Sequence, residues 1–309
     1  MCLSHLIILY KPSGESITTL SRSFQKRLFL TVIYLLPHHL LSACVHWLAR
    51  IKWSLVKNCL IRLYIHHYKI DMSIAASTHA ADYTNFNSFF TRALKPEARR
   101  IIDSTGSIAC PVDGTVSEAG KIINGSLYQA KGHYYTLENL VGGSQKIVRM
   151  FDNGHFATLY LSPRDYHRIH MPLGGTLQEM CYIPGRLFSV NELSTQNVPG
   201  LFARNERVVT VFDTDAGPMG VILVGALFVS SIETVWAGDV ARLTKGKYKQ
   251  WDYRDEIAYP IKLKFGQEMG RFNMGSTVIV LFDASRVSLA QNIVAGNKIK
   301  FGEPMGHYE

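Results

Sequence analysis

Phe272-Asn-Met274-Gly275-Ser276-Thr277-Val278-Ile-Val-Leu-Phe282 sets an Asn and a Gly–Ser pair directly ahead of an unbroken apolar run. Its β-branched residues and its length read as a strand over 276–282, entered through a tight Gly turn. Working outward, the hydrophobic periodicity stays short and Gly recurs from residue 101 onward, so this part of the chain reads as β-rich. Further strands are expected at 146–151, 156–161, 208–212 and 221–232, with turns at Asn205–Glu206 and at Ala216-Gly217-Pro218. No internal repeat, Gly-rich phosphate loop or dinucleotide fingerprint is present, which leaves ATP and NAD chemistry without support.

Toward the N-terminus the texture becomes helical. Phe86, Phe89, Phe90 and Leu94 share one helical face, and the small, polar stretch from Ala75 to Asp82 reads as a linker. Phe24, Leu28, Val32, Leu35 and Leu36 recur at helical spacing, and Pro37 ends that helix. A second helical pattern runs from Leu40 through Leu48, Ile51, Leu55, Cys59 and Leu63, with Arg50 and Lys57 on another side and Trp47 and Trp53 as interfacial aromatics. The expected class is α+β: a β-rich core preceded by an N-terminal helical, membrane-associating region.

Charge supports the membrane reading. The 309 residues are 47% hydrophobic and 18% charged, the balance of a folded protein. Residues 1–70 hold nine Lys or Arg against the single acid Glu15, so +8 of the net +9 lies there. A nucleic-acid binder would spread its positive charge over the folded body, so that class is set aside. The longest apolar stretch, Leu28 to Leu36, is nine residues, against about 20 for a span. A secretory leader fits poorly, because the apolar run begins late and lacks a small-residue cleavage pattern. Basic amphipathic helices lying in the interface remain, with a solvated helical hairpin as the plainer alternative. Five scattered Cys without a C-x-x-C pair argue against a disulfide framework and suit a reducing compartment.

Three segments carry chemistry. Pro111-Val-Asp113-Gly114-Thr115 offers an acid beside a Gly turn, although Asp-Gly is also ordinary turn chemistry. Leu161-Ser-Pro-Arg164-Asp165-Tyr166-His167-Arg168-Ile-His170 crowds two His, two Arg and an Asp after a strand. Two His three apart are possible ligands, but no third ligand has recognisable spacing, so no metal is expected and acid–base work fits better. The third segment is the opening one. It lacks the second Gly of a nucleophile elbow, since Val278 stands there. Its functional reading uses the Gly275–Ser276 bond: Gly admits a strained backbone, and the adjacent hydroxyl can attack the preceding carbonyl. Asp113, His170 or His167, and Ser276 therefore supply acid, base and nucleophile. That order also occurs in subtilisin-like hydrolases, so it separates neither a membrane-associated serine hydrolase using Asp113, His170 and Ser276 nor a self-cleaving enzyme.

Several longer runs carry a resemblance. LSPRDYHRIHMP at 161–172, PGRLFSVNELSTQNVPGLFARNERV at 184–208, IETVWAG at 232–238, GQEMGRFNMGST at 266–277 and QAKGHYYTLENLVGG at 129–143 resemble the phosphatidylserine decarboxylase family, in its bacterial branch. The similarity runs from about residue 24 to near the C-terminus, and residues 1–23 have no counterpart. The family's Leu-Gly-Ser-Thr motif stands here as Met274-Gly275-Ser276-Thr277, a volume-conserving departure. The resemblance implies cleavage between Gly275 and Ser276 by Asp113, His170 and Ser276, and a role for His167 in decarboxylation. It implies that Ser276 becomes a covalent pyruvoyl cofactor that forms a Schiff base with phosphatidylserine, giving phosphatidylethanolamine and carbon dioxide. It divides the chain into a membrane-binding region at 1–80, a catalytic core at 81–275 and an α subunit at 276–309 that completes the core. It further implies α and β subunits from one precursor, a higher homo-oligomer, an anionic membrane surface as partner, and peripheral attachment on the cytoplasmic side of the cell membrane.

Overall fold

The computed structural model describes residues 31, 34–102, 104–228, 231–254, 259–273 and 276–309. The chain divides into two units, 1–37 and 38–309. Most of the expected helix over 22–36 lies outside the described residues. Residues 31, 34 and 35 are helical, and the helix has ended by Pro37.

The second unit begins with α1 (His38–Ala49) and α2 (Ser54–Tyr68), two helices where the hydrophobic spacing predicts one run. The N–H groups of Arg50 and Ile51 bond to the carbonyls of Trp47 and Leu48, three residues back, so α1 closes in a tight turn. Neither Gly nor Pro marks this break. Lys57 also departs from expectation: it is 6% exposed, and its Nζ donates to Asn58 Oδ1 at 2.7 Å and to the Ala80 and Ala81 carbonyls at 3.3 Å. A compact ammonium with three donors is matched here by oxygens, so its burial is satisfied. The segment holding those carbonyls is packed and is not a linker, for Ala75 bridges to Leu94 and both Ala75 and Ala80 are buried. α3 (Phe86–Phe90) is capped reciprocally by Asn85 and Ser88 and stops short of Leu94. Ile61, Ala80, Tyr83, Phe86, Phe89 and Phe90 form one apolar cluster that spans the expected boundary at residue 80.

Beyond this cluster lies the β-rich core of an α+β fold. Numbered along the chain, its main strands are β1 (Gly114–Lys121), β2 (His155–Leu161), β3 (Arg168–His170), β4 (Gly175–Ile183) and β5 (Arg207–Thr214). They are followed by β6 (Gly217–Gly225), β7 (Ser231–Thr234), β8 (Glu268–Asn273) and β9 (Ser276–Phe282). Among the described residues the large sheet has nine antiparallel strands, in the order 249–252, β4, β5, β6, β9, β2, β1 and 298–299, with 262–263 also paired to β4. A smaller sheet has the order 238–239, β7, β8, β3.

These two sheets share a seam. β6 leads into β7, β8 into β9, and β2 into β3, so three neighbouring strands of one sheet continue into three neighbouring strands of the other. The register keeps them together: Ser276 pairs with Gly225 on one side and Leu161 on the other, while Asn273 pairs with Ser231. All seven residues of β9 are buried. Its five apolar side chains contribute roughly 10 kcal/mol of burial at about 2 kcal/mol each, which anchors the C-terminal segment in the middle of the sheet.

Four expectations need correction. Residues expected as a strand at 146–151 form α4 (Gln145–Phe151). Ser144 accepts from the Ile147 N–H as an N-cap, and buried Ile147 and Phe151 sit four apart on one helical face, which outweighs the β-branched composition. The run 221–232 is two strands, because β6 leaves the large sheet at Gly225 and Phe228 takes a left-handed φ of 71°. Asn205, expected in a turn, ends the helix Leu201–Arg204. Its buried side chain donates to the carbonyls of Phe188 at 2.8 Å and Gly225 at 2.9 Å, fixing that exit. Gly114, finally, makes no turn: it lies within β1, where a Cβ would stand 2.4 Å from the Tyr160 carbonyl oxygen.

Candidate active site

Ser276 opens β9 at the seam. It is fully buried, and its Oγ has no hydrogen-bond partner. A hydroxyl stripped of water without compensation is unfavourable, and such groups collect where chemistry is done. The expected partner in cleavage, Gly275, and Met274 before it lie outside the described residues. Asn273 holds the end of β8: its Nδ2 donates to Ser231 Oγ at 2.6 Å and to Glu233 Oε1 at 2.7 Å, and its Oδ1 accepts from Asn87 Nδ2 at 2.8 Å.

His167 ends the crossing from β2 to β3, and its carbonyl accepts the Phe272 N–H at 3.1 Å, beside the end of β8. The crossing is braced by Asp165, whose carboxylate accepts from the Ser162 N–H and Oγ at 2.7 and 2.6 Å. The His167 ring is fully buried, with its centroid 4.0 Å from that of Phe90. Nδ1 donates to the Asp165 carbonyl at 2.8 Å, so the lone pair falls on Nε2, which has no partner. Burial, followed by the nearby Arg92 charge, pushes the imidazole pKa down to about 3. His167 is therefore a neutral base at pH 7.

His170 is arranged differently. Its Nδ1 donates to the Gly266 carbonyl at 2.8 Å, its Nε2 accepts from the Tyr166 hydroxyl at 2.9 Å, and its ring stacks on Phe301 at 3.8 Å. Burial lowers its pKa as well. Asp113 forms a twofold ion pair with Arg99, with Nε 3.0 Å from Oδ1, and accepts the Phe301 N–H at 2.9 Å. Asp113 and His170 thus meet around Phe301, while His167 and Ser276 lie on two of the segments that cross the seam, His167 bonded through its carbonyl to Phe272 and Ser276 paired with Leu161 and Gly225. Among the described residues no hydrogen bond joins Asp113 to His170 or His170 to Ser276.

Arg99, Tyr166 and Asn273 take places that sequence reasoning did not single out. Tyr166 had a signal, standing four residues before His170 in the same segment. Arg99 had none, because a surface-like Arg pair says nothing of a buried acid partner. Cys110 is buried and its thiol is pushed up to about 12, leaving it protonated and inert. Among the described residues no group of three His, Cys, Asp or Glu side chains is placed to hold a metal ion.

Ser276 and His167, each buried with an unpartnered polar atom on segments that cross between the sheets, make the seam the candidate catalytic centre. The phosphatidylserine decarboxylase family model matches residues 86–307, and a second model, PSD, matches 28–69. The phosphatidylserine decarboxylase proenzyme of Ectopseudomonas mendocina is 50% identical over 283 residues, covering 92% of this chain and 99% of the relative. Those of Pseudomonas paraeruginosa and Azotobacter vinelandii are 51% and 49% identical, over 91% of this chain and 97% and 98% of the relatives. The chain belongs to the phosphatidylserine decarboxylase family.

Proposed function

We propose that this chain is a proenzyme that cuts itself between Gly275 and Ser276 and then converts phosphatidylserine to phosphatidylethanolamine and carbon dioxide. The observation that carries this reading is the buried, unpartnered Ser276 hydroxyl at the head of a central strand, in a chain of this family. Attack of Oγ on the preceding carbonyl exchanges the amide for an ester. Removal of the Ser276 α-proton expels the Gly275 carboxylate and leaves dehydroalanine, which takes up water and loses ammonia to become a pyruvoyl group. His170, with Asp113 nearby, is assigned the base. It acts when Nε2 exchanges the Tyr166 hydroxyl for that of Ser276. The products are a β subunit, 1–275, and an α subunit of 34 residues, 276–309, held by β9 between β2 and β6.

The residues suit such a group, because the hydroxyl of its source, Ser276, and the His167 Nε2 are both buried without partners. A pyruvoyl group supplies a ketone that engages the substrate amine and accepts the electrons released with carbon dioxide. His167, neutral and oriented by the Asp165 carbonyl, is assigned to carry the proton at the substrate carbon. The direct test incubates purified protein with short-chain phosphatidylserine. Carbon dioxide and phosphatidylethanolamine are expected, together with an intact mass split at residue 275 and a blocked new N-terminus. A single unsplit mass with free fatty acid released would mean a hydrolase.

The same reading makes 1–80 the membrane-binding region on the cytoplasmic face. No described helix is long and apolar enough to cross a membrane. Leu40, Trp47, Leu48, Trp53, Leu55 and Leu63 are exposed, in company with exposed Lys52, Arg62 and Lys69. A groove of about 650 Å³ along α2 is lined by Leu55, Cys59, Arg62 and Leu63. On its inner side α2 reaches the crossing before His167, where Tyr64 donates to the Pro163 carbonyl at 3.0 Å. The protein is expected to co-sediment with anionic vesicles, less with neutral ones, and less as salt shortens the electrostatic reach from about 10 Å at 0.1 M to about 3 Å at 1 M. Lys52, Arg62 and Lys69 changed together to Gln should reduce activity on vesicles more than on detergent-dispersed short-chain substrate. Lys57 is left out because it is buried. Equal losses on both substrates would remove the surface-docking account.

A further inference from the structure

Arg92 lies two residues beyond α3 and is 4% exposed. Its Nη2 donates to the Arg164 carbonyl at 3.3 Å, and its guanidinium lies over the Phe89 ring at 5.5 Å. Nε and Nη1 have no hydrogen-bond partner, and no ion pair includes Arg92 among the described residues. The two carboxylates whose charges reach it are engaged elsewhere, Asp113 by Arg99 and Asp165 by Ser162. Arg92 also flanks the segment that carries His167: Arg164, whose carbonyl it binds, stands three residues before His167, and Phe90, two residues before Arg92, packs on the His167 ring at 4.0 Å.

A desolvated cation with two idle donors is strongly disfavoured unless an anion arrives. A planar fork of donors matches a tetrahedral oxyanion or a carboxylate. Phosphatidylserine, the substrate under the reading above, carries both. The carboxylate loses its charge in the reaction, so a cation fixed on it would hold the ground state more tightly than the transition state and slow the step. The phosphodiester keeps its charge throughout. Only one carbon and one oxygen separate it from the reacting carbon, so a headgroup with that carbon at His167 and Ser276 carries its phosphate alongside.

We infer that Arg92 receives the phosphodiester of the lipid headgroup and so seats the serine moiety against His167 and Ser276. This rests on the proposed decarboxylase reading. Because the phosphate interaction is the same in ground and transition states, its loss falls on KM and not on kcat. The test compares mature wild type, Arg92→Gln and Arg92→Lys on short-chain phosphatidylserine, with glycerophosphoethanolamine, ethanolamine and inorganic phosphate as inhibitors. Arg92→Gln is expected to raise KM about 10- to 100-fold, to keep kcat within about threefold, and to lose inhibition by glycerophosphoethanolamine. Arg92→Lys should recover part of the KM, and ethanolamine should inhibit all three alike. A loss confined to kcat would overturn the inference. So would inorganic phosphate inhibiting as strongly as the phosphodiester, which would mean a free-anion site. If Arg92→Gln does not mature, Arg92→Lys decides, and an unchanged KM in that variant overturns the assignment. A wild type that matures but forms no phosphatidylethanolamine would sink the decarboxylase reading itself, and this inference with it.

Discussion

Ser276→Ala is expected to leave the protein as one full-length chain without decarboxylase activity. The substitution removes the hydroxyl assigned to attack the Gly275 carbonyl. Thr277 also carries a buried hydroxyl, but it is the next residue along a strand, so its side chain points to the opposite face of the sheet. The variant should still fold. Ser276 Oγ makes no hydrogen bond, so replacing it with hydrogen leaves no new orphan and removes the cost of burying an unpartnered hydroxyl. Its melting temperature should therefore equal or exceed that of any uncut wild-type chain. This separates the role from a structural one, in which loss of activity would come with loss of stability. A denaturing gel and an intact mass decide it. A fragment corresponding to 276–309 in the variant would end the serine-attack mechanism.

What could be read in the sequence, and what could not, follows from the range of the interactions. The strand 276–282 was legible because seven buried residues in a central strand have no reason to alternate with polar ones. The helix over 145–151 was not, because its signal is a cap at Ser144 and a spacing of four between Ile147 and Phe151, hidden under β-branched composition. The break between α1 and α2 left no Gly or Pro to mark it. At the site, the three chemical segments were legible because each concentrates its reactive residue types within a few positions. Their pairings were not. Arg99 on Asp113, Tyr166 on His170 and Arg92 on the Arg164 carbonyl depend on how segments from different parts of the chain are brought around the seam. Lys57 shows the same limit from the other side: in sequence it is one more basic residue of a membrane face, and in the fold it is a buried tie to the carbonyls of Ala80 and Ala81.

The two histidines are expected to part company when each is removed. His170→Ala should leave the chain uncut, since the base assigned to Ser276 is gone. His167→Ala should still split, at least in part, while turnover of phosphatidylserine falls about 10²- to 10⁴-fold, the usual worth of a positioned acid–base group. Their surroundings support this division. His170 is held at both ring nitrogens, by Gly266 and Tyr166, and lies around Phe301 with Asp113, as befits a base that is steered by partners and serves once. His167 is hydrogen-bonded at Nδ1 only; its buried Nε2 has no partner, and its ring packs on Phe90. A neutral imidazole with its tautomer fixed by a carbonyl is available to a new ligand without first breaking a bond. Densitometry of the two subunits gives the cleaved fraction, and carbon dioxide release per cleaved molecule gives the turnover. If His167→Ala were as uncut as His170→Ala, the free Nε2 would have to be assigned to maturation. If both variants split normally, neither histidine could be the base for Ser276.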